Sequence, residues 1–392
     1  MSHTMAENTL GSPAAQGGDG GDRCPWWMSL LPLALSAVLL VPPVRNTWHT
    51  AYGARWAYIL VLSALISFGL TPIVIRLARF LEVLDFPASR KLHPRPTPLL
   101  GGMAIYTAFG VSVLANSILD QQIVAIVAGG TLLVVTGMAD DIRGVPAGVK
   151  LLAQLLAVAV VIWSGVALTL FPGWALGRVG DLVLTVFWLL GITNAMNFFD
   201  GMDGLATGLS IITAGFLGFL AMLTFQPFLG WLAVAIVGSC LGFLPFNFRP
   251  RRPAAIFLGD GGSTFLGFAL AALAIKGEWA QDSIINIATP VLIFWIFIFD
   301  MTHITVARIA TGKARTFQQW IAYVGKDHLH HLLEALLGSR RQTVFLIFFL
   351  SICMGLAAMA LRNARTLEAV LLILQAAIVV VIVSILERAG NR

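Results

Sequence analysis

Apolar runs of membrane-spanning length recur along almost the whole chain, and they constrain its fold more than any other feature. A bilayer-spanning helix needs about 20 apolar residues, because backbone groups in lipid must be hydrogen-bonded within the protein. Charged residues make up only 11% of the chain, whereas about 25% is usual for soluble domains. We therefore predict an all-α, polytopic membrane helical bundle with about 11–12 transmembrane helices. The runs cover residues 27–43, 56–80, 101–118, 122–138, 150–171, 182–197, 204–224, 228–246, 261–276, 284–308, 342–361 and 366–387.

Polar segments divide the chain into four parts. Residues 1–25 are polar and rich in Gly, Ala and Ser, which predicts a disordered cytoplasmic tail. Residues 26–55 hold a short apolar run and a loop, interpreted as an extra span because no small-residue cleavage site follows. Residues 56–361 are the predicted catalytic transmembrane bundle, and residues 362–392 the last span with a cytoplasmic C-terminus.

The distribution of positive charge predicts the orientation. With the N-terminus inside and the spans alternating, 19 of the 25 Lys and Arg residues fall inside. Because inner loops of membrane proteins carry an excess of Lys and Arg, both termini are predicted to be cytoplasmic. The net charge of +6 then needs no nucleic acid as a partner. The residues left outside are Arg45, Arg55, Arg178, Lys276, Arg362 and Arg365.

The same alternation places every polar cluster on the inner face. Segments far apart in sequence would meet there as the loops of one cytoplasmic active site. The chain is accordingly predicted to be a multi-pass protein of the cell membrane whose site faces the cytoplasm. The clusters are residues 85–102, 137–150, 194–204, 247–263 and 313–331.

Carboxylates at the ends of apolar runs are the strongest functional signal, because ionisable groups near lipid are costly. Asp140 and Asp141 are adjacent and need a cation, a shared proton or solvent, a solvated loop start being the alternative. Asp260 lies among glycines just before another run. Oxygen ligands, with one or two carboxylates and a phosphate, are what Mg²⁺ prefers.

A second polar group recurs at spacing three in the segment TNAMNFFDGMDG. Its members are Asn194, Asn197, Asp200 and Asp203. Helix capping accounts for one Asn or Asp there, but not for the whole set. The segment is therefore predicted to form one wall of the cation site.

Basic and imidazole side chains supply candidates for phosphate contact. Lys91 and His93 lie in a loop that contains several prolines. The positive charge usual in inner loops of membrane proteins would also explain these residues. His328, His330 and His331 form an HxHH pattern, for which substrate contact is favoured over zinc ligation or a plain interfacial turn.

One carboxylate, Asp300, lies deep within an apolar run. A functional role and pairing with His303 or Arg308 both remain open for it.

These features together suit phosphoryl transfer, which depends on positioning and on neutralising developing charge. An acceptor held in the bilayer would explain why the enzyme is a bundle of spans. A transporter of an anionic solute is an alternative, but it should place charges near the membrane midplane on broken helices. A zinc hydrolase built on HxHH is a further alternative.

Five motifs occur in an order that resembles a known family. The chain is similar to the polyprenyl-phosphate N-acetylhexosamine-1-phosphate transferases of glycosyltransferase family 4 over about residues 56–361. It is nearer to UDP-GlcNAc:undecaprenyl-phosphate GlcNAc-1-phosphate transferases than to phospho-N-acetylmuramoyl-pentapeptide transferases. The motifs are RKLHPRPTPLLGG, GMADDIRGVPAGVKLLAQ, TNAMNFFDGMDGLATG, FLGDGGSTFLG and KDHLHHLL.

The resemblance implies a reaction and its participants. Sugar 1-phosphate, expected to be GlcNAc-1-phosphate, would pass from a UDP-sugar to undecaprenyl phosphate with release of UMP. Mg²⁺, or Mn²⁺ as a substitute, would be the cofactor. The product would initiate a lipid-linked cell-envelope glycan such as lipopolysaccharide, teichoic acid or another cell-wall polysaccharide. The partners would be both substrates and the bilayer, with a homodimer allowed for.

The resemblance also implies a role for individual residues. Asp140 would be the base, Phe257 would lie near the uracil, and Lys91 and His93 would border the site. The implied catalytic residues are Asp140, Asp141, Asp200 and Asp203; the metal ligands are Asp260 and Asp200; and the substrate-binding residues are Lys91, His93, Asn194, Asn197, Phe257, His328, His330 and His331.

Three departures from the family pattern bear on specificity. Gly144 stands where the muramoyl branch usually has Lys, which weighs against a peptidoglycan precursor as substrate. The segment 247–257 is longer than the usual loop, which leaves a nucleotide contact of Asn247 open. The run at 27–43 is additional to an eleven-span pattern.

Overall fold

The computed structural model describes residues 27–50, 54–87, 95–249, 251–310, 312 and 328–390, and the predicted all-α fold is confirmed in them. A two-stranded antiparallel sheet is the other regular element, with β1 at Leu84–Asp85 and β2 at Thr97–Pro98. Residues 1–25, Lys91 and His93 lie outside the described residues. The helices are α1 Trp27–Leu40, α2 Pro42–Thr50, α3 Arg55–Phe80, α4 Gly101–Ala115, α5 Gln121–Arg143, α6 Ala147–Trp163, α7 Ala175–Phe199, α8 Leu205–Leu223, α9 Pro227–Asn247, α10 Gly259–Lys276, α11 Ser283–Ile293, α12 Trp295–Ala310, α13 Leu329–Leu337, α14 Arg340–Leu361 and α15 Thr366–Gly390.

The chain is a multi-pass membrane protein. Within the described residues, seven helices are long and apolar enough to cross a membrane, or nine if each of two bent pairs is one span. Helices α4 and α6 are apolar but shorter, and α10 begins with a polar turn. Together these helices and bent pairs account for all twelve predicted apolar runs.

The run predicted at 284–308 is not one straight helix. Helices α11 and α12 meet at an angle of 77°. Pro290 lies inside α11, four residues before the break at Phe294. Proline removes a backbone donor and clashes with the turn that precedes it, so Pro290 disturbs the middle of α11 and does not itself explain a break one turn later. The bend separates Asp300, on α12, from the first half of the run.

Helix α10 forms the centre of the bundle, and its residues from Phe265 to Ala274 are all buried. Glycines let three helix backbones meet at its polar end. A Cβ on Gly102 of α4 would overlap the backbone of Gly262, and one on Gly137 of α5 would overlap that of Gly261. This contact holds the end of α5, with Asp140 and Asp141, against the first turn of α10.

Substituting alanine for Gly137 is expected to lower the free energy of unfolding by about 1–3 kcal/mol, because the added methyl group must push two backbones apart. Gly110→Ala is the matched control, since nothing lies within 4 Å of a Cβ there. That control should be neutral or stabilising by up to about 1 kcal/mol. Thermal unfolding of the purified proteins checks both, and equal midpoints would contradict the backbone contact.

Charged groups separate to the two ends of the bundle. Lys276 ends α10 and lies 3.0 Å from Asp120, while Asp260 begins the same helix. Arg45 donates to Ala115 O at the end of α4, and Arg362 donates to Leu223 O at the end of α8. These basic residues, predicted to be outside, therefore lie at the end opposite to Asp260. Which end faces the cytoplasm stays a prediction.

Candidate active site

A lysine ammonium group joins two of the predicted carboxylates at the polar end of the bundle. Lys150 Nζ lies 2.8 Å from Asp140 Oδ2 and 2.9 Å from Asp260 Oδ2. The other oxygen of Asp140 accepts the N–H of Val145 at 2.6 Å. Neighbouring carboxylates repel each other unless a cation lies between them. Lys150 is that cation, and it brings together α5, α6 and α10.

Two more carboxylates bind the backbone where α10 begins. Asp141 Oδ1 accepts the N–H of Asp260 at 3.1 Å, and Asp200 Oδ2 accepts that of Gly259 at 3.2 Å. Gly259 has a φ of +78°, and a Cβ there would lie 2.6 Å from Asp141 Oδ2, so only glycine fits. Helix N-termini attract anions through their free N–H groups and dipole. The first turn of α10 thus gathers four Asp side chains.

The charge in this cluster is only partly balanced. Burial raises the pKa of Asp200 well above its usual range, and the negative charges of Asp260 and Asp141 raise it further. Asp141 Oδ2 is buried and has no hydrogen-bond partner in the described part of the chain. A divalent cation would offset the repulsion and give such an oxygen a partner.

The arrangement fits Mg²⁺ held jointly with a substrate rather than a closed protein cage. Among the described residues, no three His, Cys, Asp or Glu side chains form a ready metal site. Mg²⁺ often takes only one or two carboxylates and completes its shell with water and phosphate oxygens. Asp260 and Asp200, the ligands that the resemblance implies, both lie at the start of α10.

Asn197 supports Asp260 from α7. Its Nδ2 donates to Asp260 Oδ1 at 3.0 Å and to Ser263 Oγ at 2.9 Å. Ser263 in turn donates to the carbonyl of Gly259 at 3.0 Å. The predicted binding residue Asn197 therefore fixes the direction of the Asp260 carboxylate.

Two other predicted site residues make supporting contacts. The amides of Asn194 and Gln154 exchange hydrogen bonds of 2.9 and 3.2 Å, which ties α7 to α6 one turn from Asn197. Asp203 Oδ2 accepts the N–H of Ala254 at 2.9 Å and so holds the loop that precedes α10.

Asn247 is buried, and both ends of its amide are used. The oxygen accepts from Thr207 at 2.9 Å, and the nitrogen donates to Ile256 O at 3.1 Å. These contacts give it a structural role in the loop.

The backbone of Phe257 connects that loop to α4. Its N–H donates to Pro98 O at 2.9 Å, and its carbonyl accepts from Gly101 N at 3.1 Å. The side chain is half-buried, two residues before α10 begins. The family resemblance implies that the uracil lies near this residue, and that role remains a prediction.

The three histidines form a turn beside the Asp200–Gly204 segment. His330 is 1% exposed, and neither of its ring nitrogens has a hydrogen-bond partner among the described residues. Burial lowers the pKa of His330 well below its usual value, and His331 and His328 add to the effect, so the ring is neutral. A Cβ on Gly201 would lie 3.0 Å from His330 Nε2. The turn thus contacts the wall that carries Asp200.

The partner of Asp300 differs from both candidates named from the sequence. Its Oδ2 lies 2.8 Å from His328 Nδ1, and its Oδ1 accepts the N–H of Leu329 at 2.7 Å. His303 stacks on Phe299, and Arg308 is buried elsewhere on α12. Asp300 therefore reaches the histidine turn. The zinc interpretation of that turn has no ligand set in the described residues.

Comparison with known proteins decides the family. Residues 123–278 match the sequence model of glycosyl transferase family 4. A Bacillus subtilis protein named probable undecaprenyl-phosphate N-acetylglucosaminyl 1-phosphate transferase is 34% identical over 310 residues, which cover 78% of this chain and 84% of the relative. The chain belongs to glycosyl transferase family 4.

Two further relatives extend the comparison. Decaprenyl-phosphate N-acetylglucosaminephosphotransferase of Mycobacterium leprae is 31% identical over 356 residues, covering 79% of this chain and 85% of the relative. Phospho-N-acetylmuramoyl-pentapeptide-transferase of Desulforamulus reducens is 30% identical over 331 residues, covering 76% of this chain and 93% of the relative. Both branches considered from the sequence are therefore represented.

Sequence reasoning missed two residues that build this family 4 site. Lys150 and Gln154 were not assigned to it, although both lie within a motif quoted for the resemblance. Lys150 resembled an ordinary inner-face charge. Its position one turn inside an apolar helix was the available signal, since a charge there needs a partner.

Proposed function

We propose that this chain transfers GlcNAc-1-phosphate from a UDP-sugar to undecaprenyl phosphate and releases UMP. The membership of family 4 and the names of the relatives support phosphotransfer to a polyprenyl phosphate. The product would be a lipid-linked sugar diphosphate, from which a cell-envelope glycan is built.

The observation that carries the proposal is the Lys150 bridge within the acidic cluster. One ammonium group, four carboxylates and the N-terminus of α10 converge where five distant segments were expected to meet. Phosphoryl transfer needs this combination, because its catalysis is mainly the positioning of groups and the neutralisation of phosphate charge.

Each side chain has a proposed task. Asp260 and Asp200 would hold Mg²⁺, with Asn197 directing Asp260; when bound, the ion would offset the negative charge of the diphosphate. Lys150 would contact a phosphate oxygen while keeping Asp140 ionised. Asp140 would orient the attacking lipid phosphate and accept its proton if one is present. Asp141, which has a free oxygen, would complete the acidic wall.

The proposed orientation places this site at the cytoplasmic surface. Lys91 and His93 would border it, and His328, His330 and His331 would contact the sugar or the phosphates. The inner excess of Lys and Arg supports cytoplasmic termini. Reporter proteins fused to the termini and loops would show which side of the membrane each one faces, independently of activity.

The proposal is tested with purified protein in lipid nanodiscs, Mg²⁺, undecaprenyl phosphate and a panel of UDP-sugars. UMP and a lipid-linked product are expected with UDP-GlcNAc and not without the lipid phosphate. If no UDP-N-acetylhexosamine yields UMP, the proposal is wrong. The panel includes UDP-N-acetylmuramoyl-pentapeptide, because the Desulforamulus relative carries that activity in its name. Turnover of that donor alone would favour the second branch.

A further inference from the structure

Asp300 is a buried carboxylate for which the proposed reaction has no task. It is 1% exposed and lies on α12, beyond the bend in the broken span. Both of its oxygens are used by the start of the next described helix. Oδ2 lies 2.8 Å from His328 Nδ1, and Oδ1 accepts the N–H of Leu329 at 2.7 Å.

These two contacts fix both the start of α13 and the tautomer of His328. The first N–H groups of a helix need acceptors, and Asp300 supplies one to α13 from a different helix. A neutral amide or a water would satisfy that need at lower cost than a buried charge. The second oxygen is the informative one, because it requires a hydrogen on Nδ1 of His328 and so fixes the tautomer of the ring.

The remaining nitrogen of His328 is left for another partner. Asp300 is bound to Nδ1, so Nε2, on the other side of the ring, is the nitrogen that can face a ligand. Phe198 holds the ring from one side, with centroids 4.5 Å apart and an angle of 33° between the rings. The His330 ring is stacked at 5.9 Å, and His330 Nε2 faces Gly201. Asp300 is therefore connected, through the rings of His328 and His330, to the segment that contains Asp200 and Gly201.

We propose that Asp300 is a positioning residue, which holds His328 with Nδ1 protonated, so that the unprotonated Nε2 accepts a hydrogen bond from a hydroxyl or amide N–H of the nucleotide-sugar. The same contact keeps the histidine turn against Gly201. This inference rests on the proposed function for its substrate. The pairing of Asp300 with His328 can be tested without turnover.

Asp300→Asn separates the effect on the His328 tautomer from the hydrogen bond that supports the start of α13. The amide oxygen can still accept the N–H of Leu329, but its NH2 group then faces Nδ1 and favours the opposite tautomer of His328. We expect kcat/KM for the UDP-sugar to fall about 10–100-fold, as for other residues that orient a histidine. The thermal unfolding midpoint should change little.

A double-mutant cycle shows whether Asp300 acts through the histidine. In a His328→Gln background, Asp300→Asn should lower kcat/KM less than twofold, because residues in one chain of contacts are not additive. Asp282→Asn is the matched control. Asp282 accepts two backbone N–H groups at the start of α11, and no histidine among the described residues is bound to it. That control should keep wild-type kcat/KM.

A second measurement does not depend on turnover. Nitrogen-15 spectra of labelled histidine should show one ring with Nδ1 protonated in the wild type and a changed tautomer in Asp300→Asn. If this change occurs but no UDP-sugar reacts, the proposed function fails and the pairing stands. The positioning proposal is overturned if Asp300→Asn keeps kcat/KM within twofold. It is also overturned if the loss is equally large in the His328→Gln background.

Discussion

Lys150→Met is expected to lower kcat/KM for the transfer by about 10²–10³-fold, the usual cost of losing one preorganised charge at a reacting oxygen. The ammonium group lies within 3 Å of both Asp140 and Asp260, so its loss leaves the two carboxylates facing each other and removes a phosphate ligand. Methionine keeps the length and apolar stem of the side chain. UMP release in nanodiscs measures the effect.

Stability should change much less than activity in this variant. The Lys150 side chain is 36% exposed, so solvent already screens part of its attraction to the two carboxylates. Lys150→Arg should recover part of the rate, because the charge is kept but the guanidinium group is broader and more rigid.

Lys276→Met is the matched control for Lys150→Met. Lys276 also makes an ion pair, 3.0 Å from Asp120, but at the opposite end of α10. Its removal should leave kcat/KM unchanged. The assignment of Lys150 to the site would be contradicted if both variants lost the same activity, or if Lys150→Met retained the wild-type rate.

The apolar pattern was sufficient for the elements of the fold but not for their ends. Each predicted run became a helix or a bent pair, because apolar length alone specifies a membrane helix. The run at 150–171 stops early at Trp163, where Gly165 adopts a φ of +91°. The break at Phe294 leaves no trace in the hydropathy pattern, because the apolar residues continue across it from α11 into α12.

The acidic part of the site could be predicted, and its partners could not. Asp140, Asp200 and Asp260 were visible because carboxylates beside apolar runs are rare and costly. The contact of Lys150 with Asp260 joins residues 110 positions apart, so no local pattern records it. The pairing of Asp300 with His328 is equally non-local. The contact of Lys150 also depends on the close approach of Gly137 to Gly261, which only the packed structure reveals.

Asp260→Asn and Asp200→Asn are each expected to reduce turnover by at least about 10³-fold. Loss of a metal ligand removes several kcal/mol of transition-state stabilisation, and each 1.36 kcal/mol is tenfold in rate. The fold should survive, because asparagine keeps the shape of the side chain. Asp200→Asn should be as heat-stable as the wild type or more so without Mg²⁺, because it removes a buried negative charge beside Asp141 and Asp260.

Asp181→Asn is the control for both acidic variants. Asp181 is also buried and accepts the N–H groups of Leu170 and Phe171, but it lies near the other end of α7. Its rate should match the wild type.

Mg²⁺ should raise the unfolding midpoint of the wild type and of Asp181→Asn, because a ligand that binds only the folded state stabilises it. The shift should be absent in Asp260→Asn and Asp200→Asn. A full Mg²⁺ shift in either acidic variant, or wild-type turnover in both, would show that the metal lies elsewhere.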